Sequence, residues 1–295
     1  MKGESERCIV LKRLTGHSGC DITLCRANGI FVRKRSSSQK YNRRLKKQYR
    51  KQQRFVPKTE NVLAPRPLSC GTENGLFYFD MEFVRGKTLA EYTAEMKISE
   101  IADYVDVLFE SLEFSPLRHS FDARGKQAIF SEKIETLNAQ LQSNTKLGEA
   151  FGILKNFDWS SVPETPCHGD LTLENILVSD NGKLYLFDFL DSFFNSWMID
   201  IAKLLQDLEL KWSFRHSSLT TAQELRLLVA KEMIVERIVS FKDGMRHMAA
   251  IYHLLLLNVL RIYPYAKDEV TYAFLDSSVE YLLEKLRKNE IGGLK

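Results

Sequence analysis

Three oxygen-bearing side chains, Asp170, Asn175 and Asp188, carry the chemistry that this sequence can do. Asp170 and Asn175 bracket the run Asp170-Leu171-Thr172-Leu173-Glu174-Asn175, and Asp188 follows the apolar run Leu184-Tyr185-Leu186-Phe187. A carboxylate at Asp170 can take the proton of a hydroxyl. The carboxamide oxygen of Asn175 and the carboxylate of Asp188 are hard donors of the kind Mg2+ prefers, since that ion takes few protein ligands and fills its octahedron with water and phosphate. A base for a hydroxyl beside a metal for phosphates is the equipment of phosphoryl transfer. Read blandly, the same three residues are polar turn and cap positions; agreement between spacing, flanking strands and residue type argues for the chemistry.

Local structure must bring these groups together. Ile176-Leu177-Val178 and Leu184-Tyr185-Leu186-Phe187 flank Asp180-Asn181-Gly182, and Asn-Gly suits a tight hairpin because both positions tolerate positive φ. Such a hairpin is expected to fold Asp188 back beside Asn175. Toward the amino terminus, residues 8–14 and 21–26 read as two strands around Thr15-Gly16-His17-Ser18-Gly19-Cys20, and Asn28-Gly29 turns into a third strand, Ile30 to Lys34. Gly16, Ser18 and Gly19 would let backbone amides approach phosphates closely, although an ordinary hairpin loop accounts for them equally well. Residues 40–54 read as a helix with Tyr41, Leu45 and Tyr49 facing inward at four-residue intervals. After a connection marked by Pro57, Pro65 and Pro67, the run 76–84 reads as a buried strand. Residues 86–155 read as amphipathic helix, most clearly over Glu100 to Phe114.

Taken in order, these motifs give the chain a resemblance to the aminoglycoside phosphotransferase and choline kinase superfamily, small-molecule kinases with the protein-kinase fold. His168-Gly169-Asp170 with Asn175 is similar to the family's H-G-D-x-x-x-x-N loop, and Asp188 to its metal-binding Asp. Phe79-Asp80-Met81-Glu82-Phe83-Val84 with Gly86 is similar to its hinge, and Asp200-Ile201-Ala202-Lys203-Leu204-Leu205 to its D-[IL]-A-x-L helix start. The likeness covers most of residues 8–210, and beyond 210 the chain matches only as a generic helical tail. It implies an α+β, bilobal protein-kinase-like fold: a small antiparallel-sheet lobe over residues 1–84, a hinge at about 80–86, and a larger, mainly helical lobe over 85–295.

The resemblance also implies ATP and Mg2+. In the family's scheme Asp170 is the catalytic residue, Asn175 and Asp188 are metal ligands, and the backbone of Met81, Glu82 and Phe83 reads adenine. Gly16, Ser18 and Gly19 meet the phosphates. His168 and Asp200 support the catalytic loop. A lysine on the third strand contacts the α and β phosphates and pairs with a Glu on the next helix. Lys34 fits that place, with Arg33 adjacent and on the opposite face. The helix contains no Glu at all, so Gln48 or Gln52 would have to orient the lysine through a neutral hydrogen bond, weaker than a charge-assisted one. Asp191 has three readings: a second metal, a substrate hydroxyl, or solvent.

The expected activity is therefore transfer of the γ-phosphoryl group of ATP to a hydroxyl of a sugar, aminocyclitol or amino alcohol. The missing helix Glu leaves open a weak or regulatory protein-directed kinase or pseudokinase. Against a protein kinase, only a short segment separates Asp188 from Asp200 and no A-P-E motif follows. A third reading comes from charge. From Ile22 through Thr59 there are thirteen Lys and Arg and no Asp or Glu, in a chain whose net charge is only +4. Such a run would suit a polyanion-binding module, although its aromatics are few and placed for packing, which makes nucleic acid a poor candidate.

Composition sets the remaining bounds. A chain of 295 residues with 44% hydrophobic content can bury a sizeable core. Its five cysteines lack C-x-x-C spacing, which argues against a zinc site and for reduced thiols in a cytoplasmic protein. The longest apolar run, Met248 to Leu260, is interrupted by His253 and Asn258 and is too short to span a bilayer. It reads as a buried helix.

Overall fold

The computed structural model describes residues 8–14, 20–118 and 120–288, and the chain divides into two compact units. Gly16, Ser18 and Gly19 lie outside the described residues.

The first unit comprises Met1–Lys87 together with Leu177–Asp191. Its main sheet is antiparallel and holds β1 (Ile9–Leu14), β2 (Cys20–Arg26), β3 (Ile30–Ser36), β5 (Pro67–Glu73) and β6 (Leu76–Glu82) in the order β1-β2-β3-β6-β5. β3 is central, with Lys34 opposite Phe79 and Arg33 opposite Asp80. Helix α1 (Asn42–Gln53) packs on one face of this sheet, where Leu45, Phe77, Phe79 and Met81 form a core against which Tyr41 and Tyr49 rest. The four-residue spacing of Tyr41, Leu45 and Tyr49 is therefore the inward stripe. Asn42 ties the start of α1 to the β5-β6 turn, donating to the Gly75 carbonyl at 2.8 Å and accepting from the Phe77 N–H at 2.9 Å.

A second sheet runs in the order β4-β9-β8-β7, with β4 at Val62–Leu63, β7 at Gly86–Thr88, β8 at Ile176–Ser179 and β9 at Leu184–Leu186. β7 departs from the expected helix that began at residue 86. Gly86 lies so close to β8 that a Cβ there would sit 2.1 Å from the Val178 carbonyl oxygen, so only glycine fits and the chain continues as a strand. The β8-β9 connection forms as expected but with different turn chemistry. Only Gly182 has positive φ, at 79°, and its N–H reaches the Ser179 carbonyl at 2.8 Å. The turn with positive φ at both central positions is instead Asn74-Gly75, at 51° and 77°, between β5 and β6.

The second unit comprises Thr88–Ile176 and Ser192–Lys295. Its helices are α2 (Leu89–Tyr92), α3 (Ile98–Ser111), α4 (Ala123–Leu141), α5 (Gly148–Asn156), α6 (Trp197–Leu208), α7 (Thr221–Val239), α8 (Gly244–Leu260) and α9 (Glu269–Arg287). The apolar run 248–260 is the buried body of α8. Its interruptions are accommodated: His253 stacks on Phe157 at 3.9 Å, and Asn258 accepts from Arg261 at 3.1 Å. α6 is buried nearly all round, and Ser196 caps it by accepting from the Met198 N–H. Among the described residues no helix is long and apolar enough to cross a membrane, and none of the five cysteines is in a disulfide.

Candidate active site

In the first unit, strand alternation sends Arg33 and Lys34 to opposite faces of the sheet. Arg33 is taken by a bidentate pair with Asp80, Nε to Oδ1 at 2.7 Å and Nη2 to Oδ2 at 2.9 Å, with its guanidinium over the Tyr78 ring. Lys34 points the other way and is only 3% exposed. Its ammonium donates to Asp188 Oδ1 at 2.5 Å and to Gln48 Oε1 at 3.2 Å. Burial works against that charge, and the Asp188 carboxylate outweighs it, holding the amine above its ordinary range.

Gln48 is thus the helix residue that meets the lysine. Its amide nitrogen is buried with no hydrogen-bond partner among the described residues. Gln52, one turn on, is spent elsewhere: it donates to the Pro65 carbonyl at 2.7 Å and lies 3.5 Å from Met81 Sδ. Asp188 adopts φ of 62°, uncommon for a residue with a Cβ and a cost that functional positions tend to carry. Asp191 pairs with Lys47 at 2.8 Å, and Lys51 donates to the Leu190 carbonyl at 2.8 Å. Part of the cationic run therefore holds the segment that follows Asp188. Met81 is buried in β6, Glu82 sits 4.0 Å from Arg66, and Phe83 is 42% exposed.

In the second unit the loop 168–175 is gripped by α6. Gly169, at φ of 88°, turns the chain where a side chain would be strained. Asp200 accepts from the backbone N–H of His168 and of Gly169, both at 2.7 Å. Asp207 accepts from the Leu173 N–H at 2.6 Å and from the N–H and hydroxyl of Ser213 at 2.9 and 2.7 Å. Burial is the strongest influence on Asp207 and pushes it up to about 6 against those donors. His168 is itself buried, its Nδ1 receiving the Asp170 N–H at 3.3 Å.

Asp170 keeps 29% of its side chain exposed, and Lys203 of α6 stands 3.1 Å from its Oδ1. Burial opposes the carboxylate charge. Lys203, with His168 and Arg261 nearby, outweighs that and holds Asp170 below the usual carboxylate range. Asn175 turns its amide nitrogen to the Asp170 carbonyl at 2.8 Å and to Oδ2 at 3.3 Å. With the nitrogen so committed, the Asn175 Oδ1 remains an acceptor with no hydrogen-bond partner among the described residues.

Each unit carries a hard oxygen donor of the kind Mg2+ takes: in the second the carboxamide oxygen of Asn175, and in the first the Asp188 carboxylate, whose Oδ2 is not taken by Lys34. No group of three or more His, Cys, Asp and Glu that could hold a metal occurs among the described residues. A hard ion that draws most of its ligands from phosphate and water needs none.

A family model described as a phosphotransferase enzyme family matches residues 23–227. The chain belongs to that family. Solved structures agree on the fold. The GDP complex of wild-type aminoglycoside 2'-phosphotransferase-IIIa superposes with a TM-score of 0.62 at 16% identity, over 97% of this chain and 95% of the other. A choline/ethanolamine kinase family protein from Mesorhizobium loti gives 0.51 at 15% identity, over 99% and 92%. Choline kinase LicA from Streptococcus pneumoniae gives 0.50 at 18%, over 94% and 95%. No curated protein matches the chain. This phosphotransferase therefore has the protein-kinase-like α+β fold, with an antiparallel sheet in its amino-terminal region and helices in its carboxy-terminal region.

Sequence reasoning about the phosphotransferase passed over two residues that touch the loop, Lys203 and Asp207. The signal was present: Asp200, Lys203 and Asp207 stand at i, i+3 and i+7, which is one stripe of a helix.

Proposed function

We propose that this phosphotransferase moves the γ-phosphoryl group of ATP to a hydroxyl of a small molecule, a sugar, an aminocyclitol or an amino alcohol. The observation that carries the reading is the Asp170 carboxylate, partly exposed, ionised, and held by Lys203 on one oxygen and Asn175 on the other. In the transfer the acceptor oxygen bonds to the γ-phosphorus as the bond from that phosphorus to the β,γ-bridging oxygen breaks. The acceptor proton goes to Asp170 and then to solvent, and ADP leaves.

Asn175 Oδ1 and the Asp188 carboxylate would hold Mg2+, whose contribution is to neutralise phosphate charge. Lys34 would release Asp188 and take the α and β phosphates. Gly16, Ser18 and Gly19 would add backbone amides, and Met81, Glu82 and Phe83 would read and cover the adenine. His168 and Asp200 keep the loop in shape, Gln48 orients Lys34, Gln52 anchors α1, and Asp191 serves as a tether to Lys47 rather than as a metal ligand. In domain terms, residues 1–84 would form the nucleotide lobe and 85–295 the catalytic and acceptor lobe of a cytoplasmic enzyme, except that the stretch Leu177–Asp191 goes with the first unit.

One observation favours a slow enzyme: Gln48 stands where a carboxylate would strengthen the lysine contact, so a weak or regulatory kinase is the second reading. The polyanion reading loses support because Lys47 and Lys51 already have partners within their own unit. The test is consumption of ATP with Mg2+ against a panel of sugars, amino alcohols and aminoglycosides. Stimulation by one class over water hydrolysis, lost in Asp170→Ala, supports the proposal. Equal background rates with every acceptor would point to the weak or regulatory reading.

A further inference from the structure

The grip of α6 on the loop is of two kinds. Asp200 and Asp207 hold backbone, at His168 and Gly169 before Asp170 and at Leu173 after it. Neither fixes the Asp170 side chain, which would still be free to turn about its own torsions. The contact that fixes it comes from Lys203, whose Nζ lies 3.1 Å from Asp170 Oδ1 and donates to Gln206 Oε1 at 3.2 Å. The other contact to this carboxylate, Asn175 Nδ2 at 3.3 Å from Oδ2, is longer than an ordinary N–H to O bond. Lys203 is only 12% exposed, on a helix that is buried nearly all round. An ammonium in such a place is a poor way to gain stability, because a partly desolvated ion pair does little better than an apolar side chain of the same size.

We propose that Lys203 is a positioning residue of the transfer: by occupying Oδ1 it presents Oδ2 of Asp170 to the acceptor hydroxyl. The inference rests on the reading of Asp170 as the group that takes the acceptor's proton. It adds a cation delivered by a helix, from outside the loop, to the loop's own Asp and Asn. A carboxylate turned away from its acceptor leaves nucleotide binding intact and slows only the transfer, so the effect belongs in kcat.

The test uses the full chain, with Mg2+-ATP hydrolysis to water as the reaction and calorimetric binding of a non-hydrolysable ATP analogue as the second readout. Lys203→Met is expected to lower kcat by about 10²-fold, the cost of misplacing a reacting group by about 1 Å, with analogue affinity unchanged. Lys203→Arg should recover most of the rate. In an Asp170→Asn background Lys203→Met should cost nothing more, because its effect passes through that carboxylate. Should the methionine variant fail to fold by circular dichroism, Lys203→Gln carries the same cycle. An equal loss in both backgrounds would overturn the inference, since Lys203 would then act on the fold. So would wild-type turnover by Lys203→Met while Asp170→Asn is impaired. Full activity in Asp170→Asn is the separate result that removes the role of Asp170 itself, and this inference with it.

Discussion

Each unit of this phosphotransferase sets a largely buried lysine against an aspartate of the candidate site, Lys34 against Asp188 in the first and Lys203 against Asp170 in the second, and the two pairs are built on opposite plans. In the first, the lysine is buried and the carboxylate is 25% exposed, and the second partner of Lys34 is a neutral amide with an unused donor. In the second, the carboxylate is again the more open partner, but the lysine rides on a helix clamped to the loop through Asp200 and Asp207. The Lys34-Asp188 contact would suit exchange in the proposed function, where a metal and a phosphate would offer each partner a stronger opposite charge than the other does. The Lys203-Asp170 contact is suited to persist. In the proposed function, one pair waits for ligand and the other holds the reactive group in place.

Breaking the exchangeable pair should have the largest effect. Asp188→Ala is expected to abolish turnover and Mg2+-dependent nucleotide binding together, measured by steady-state ATP consumption and by calorimetry with and without the metal. Retained activity would sink the assignment of Asp188 as ligand. Removing the carboxylate of the persistent pair should separate the two readouts. Asp170→Ala should lower kcat roughly 10²- to 10⁴-fold with nucleotide affinity nearly unchanged. A large loss of affinity would instead give Asp170 a structural or metal-binding part.

The clamp that makes the second pair persistent carries its own pH signature. Asp207 is raised from 3.8 to about 6 in the fold, so the neutral acid is the form that the fold favours. Its contribution to stability is fully present below the unfolded value of 3.8 and is lost as pH rises through about 6. The difference in unfolding free energy between the wild type and Asp207→Ala should therefore shrink by about 2 kcal/mol between pH 4 and pH 7, since each tenfold change in proton affinity is worth about 1.4 kcal/mol. Denaturant titrations at several pH values measure it. A difference that grows with pH would mean that the Leu173 and Ser213 donors overcome burial.

The smallest effect sharpens the comparison. Gln48→Glu should give Lys34 a charged partner in addition to Asp188 and tighten ATP binding by a few fold, about 1 kcal/mol or less. Lys34→Ala should erase the gain and Arg33→Ala should not, because Arg33 is held by Asp80 on the other face. Gln52→Glu should lower the melting temperature without touching ATP affinity, because it sets a buried carboxylate against the Pro65 carbonyl. Indifference of Gln48→Glu to the loss of Lys34 would break the pairing of α1 with β3 proposed for the nucleotide-bound enzyme.

How much of this was legible in the sequence follows from which residues have one-sided surroundings. β3, β6 and α1 bury one face, so alternation and the Tyr41-Leu45-Tyr49 stripe identified them directly. Asp170, Asn175 and Asp188 stood out as candidates because spacing, flanking strands and residue type agree on one chemistry. Gln48 and Gln52 share a stripe one turn apart, and no periodicity can say which of them meets Lys34. Of the α6 clamp, Asp200 came from the resemblance, while Lys203 and Asp207 were passed over although they share its stripe. Nearly every residue from Trp197 to Leu208 is buried, so the polar stripe is flanked by apolar residues on both sides and does not read as an ordinary solvent-facing face. The β7 strand was missed because Gly86 answers to a neighbouring backbone that lies far away in sequence.

The first unit is assembled from two stretches separated by most of the chain, Met1–Lys87 and Leu177–Asp191, and this bears on its biogenesis. When residues 1–87 leave the ribosome, Lys34 has its neutral partner but not its acid, and β4 lacks β9, the strand it pairs with in parallel. An ammonium enclosed at 3% exposure with no counter-charge costs several kcal/mol, so the amino-terminal sheet has reason to stay open over Lys34 until Asp188 has been synthesised. Completion of the first unit is thereby tied to translation of the hairpin that carries Asp188. A message truncated between the two stretches would leave a fragment with an unshielded lysine and an unpaired strand, a ready substrate for proteolysis.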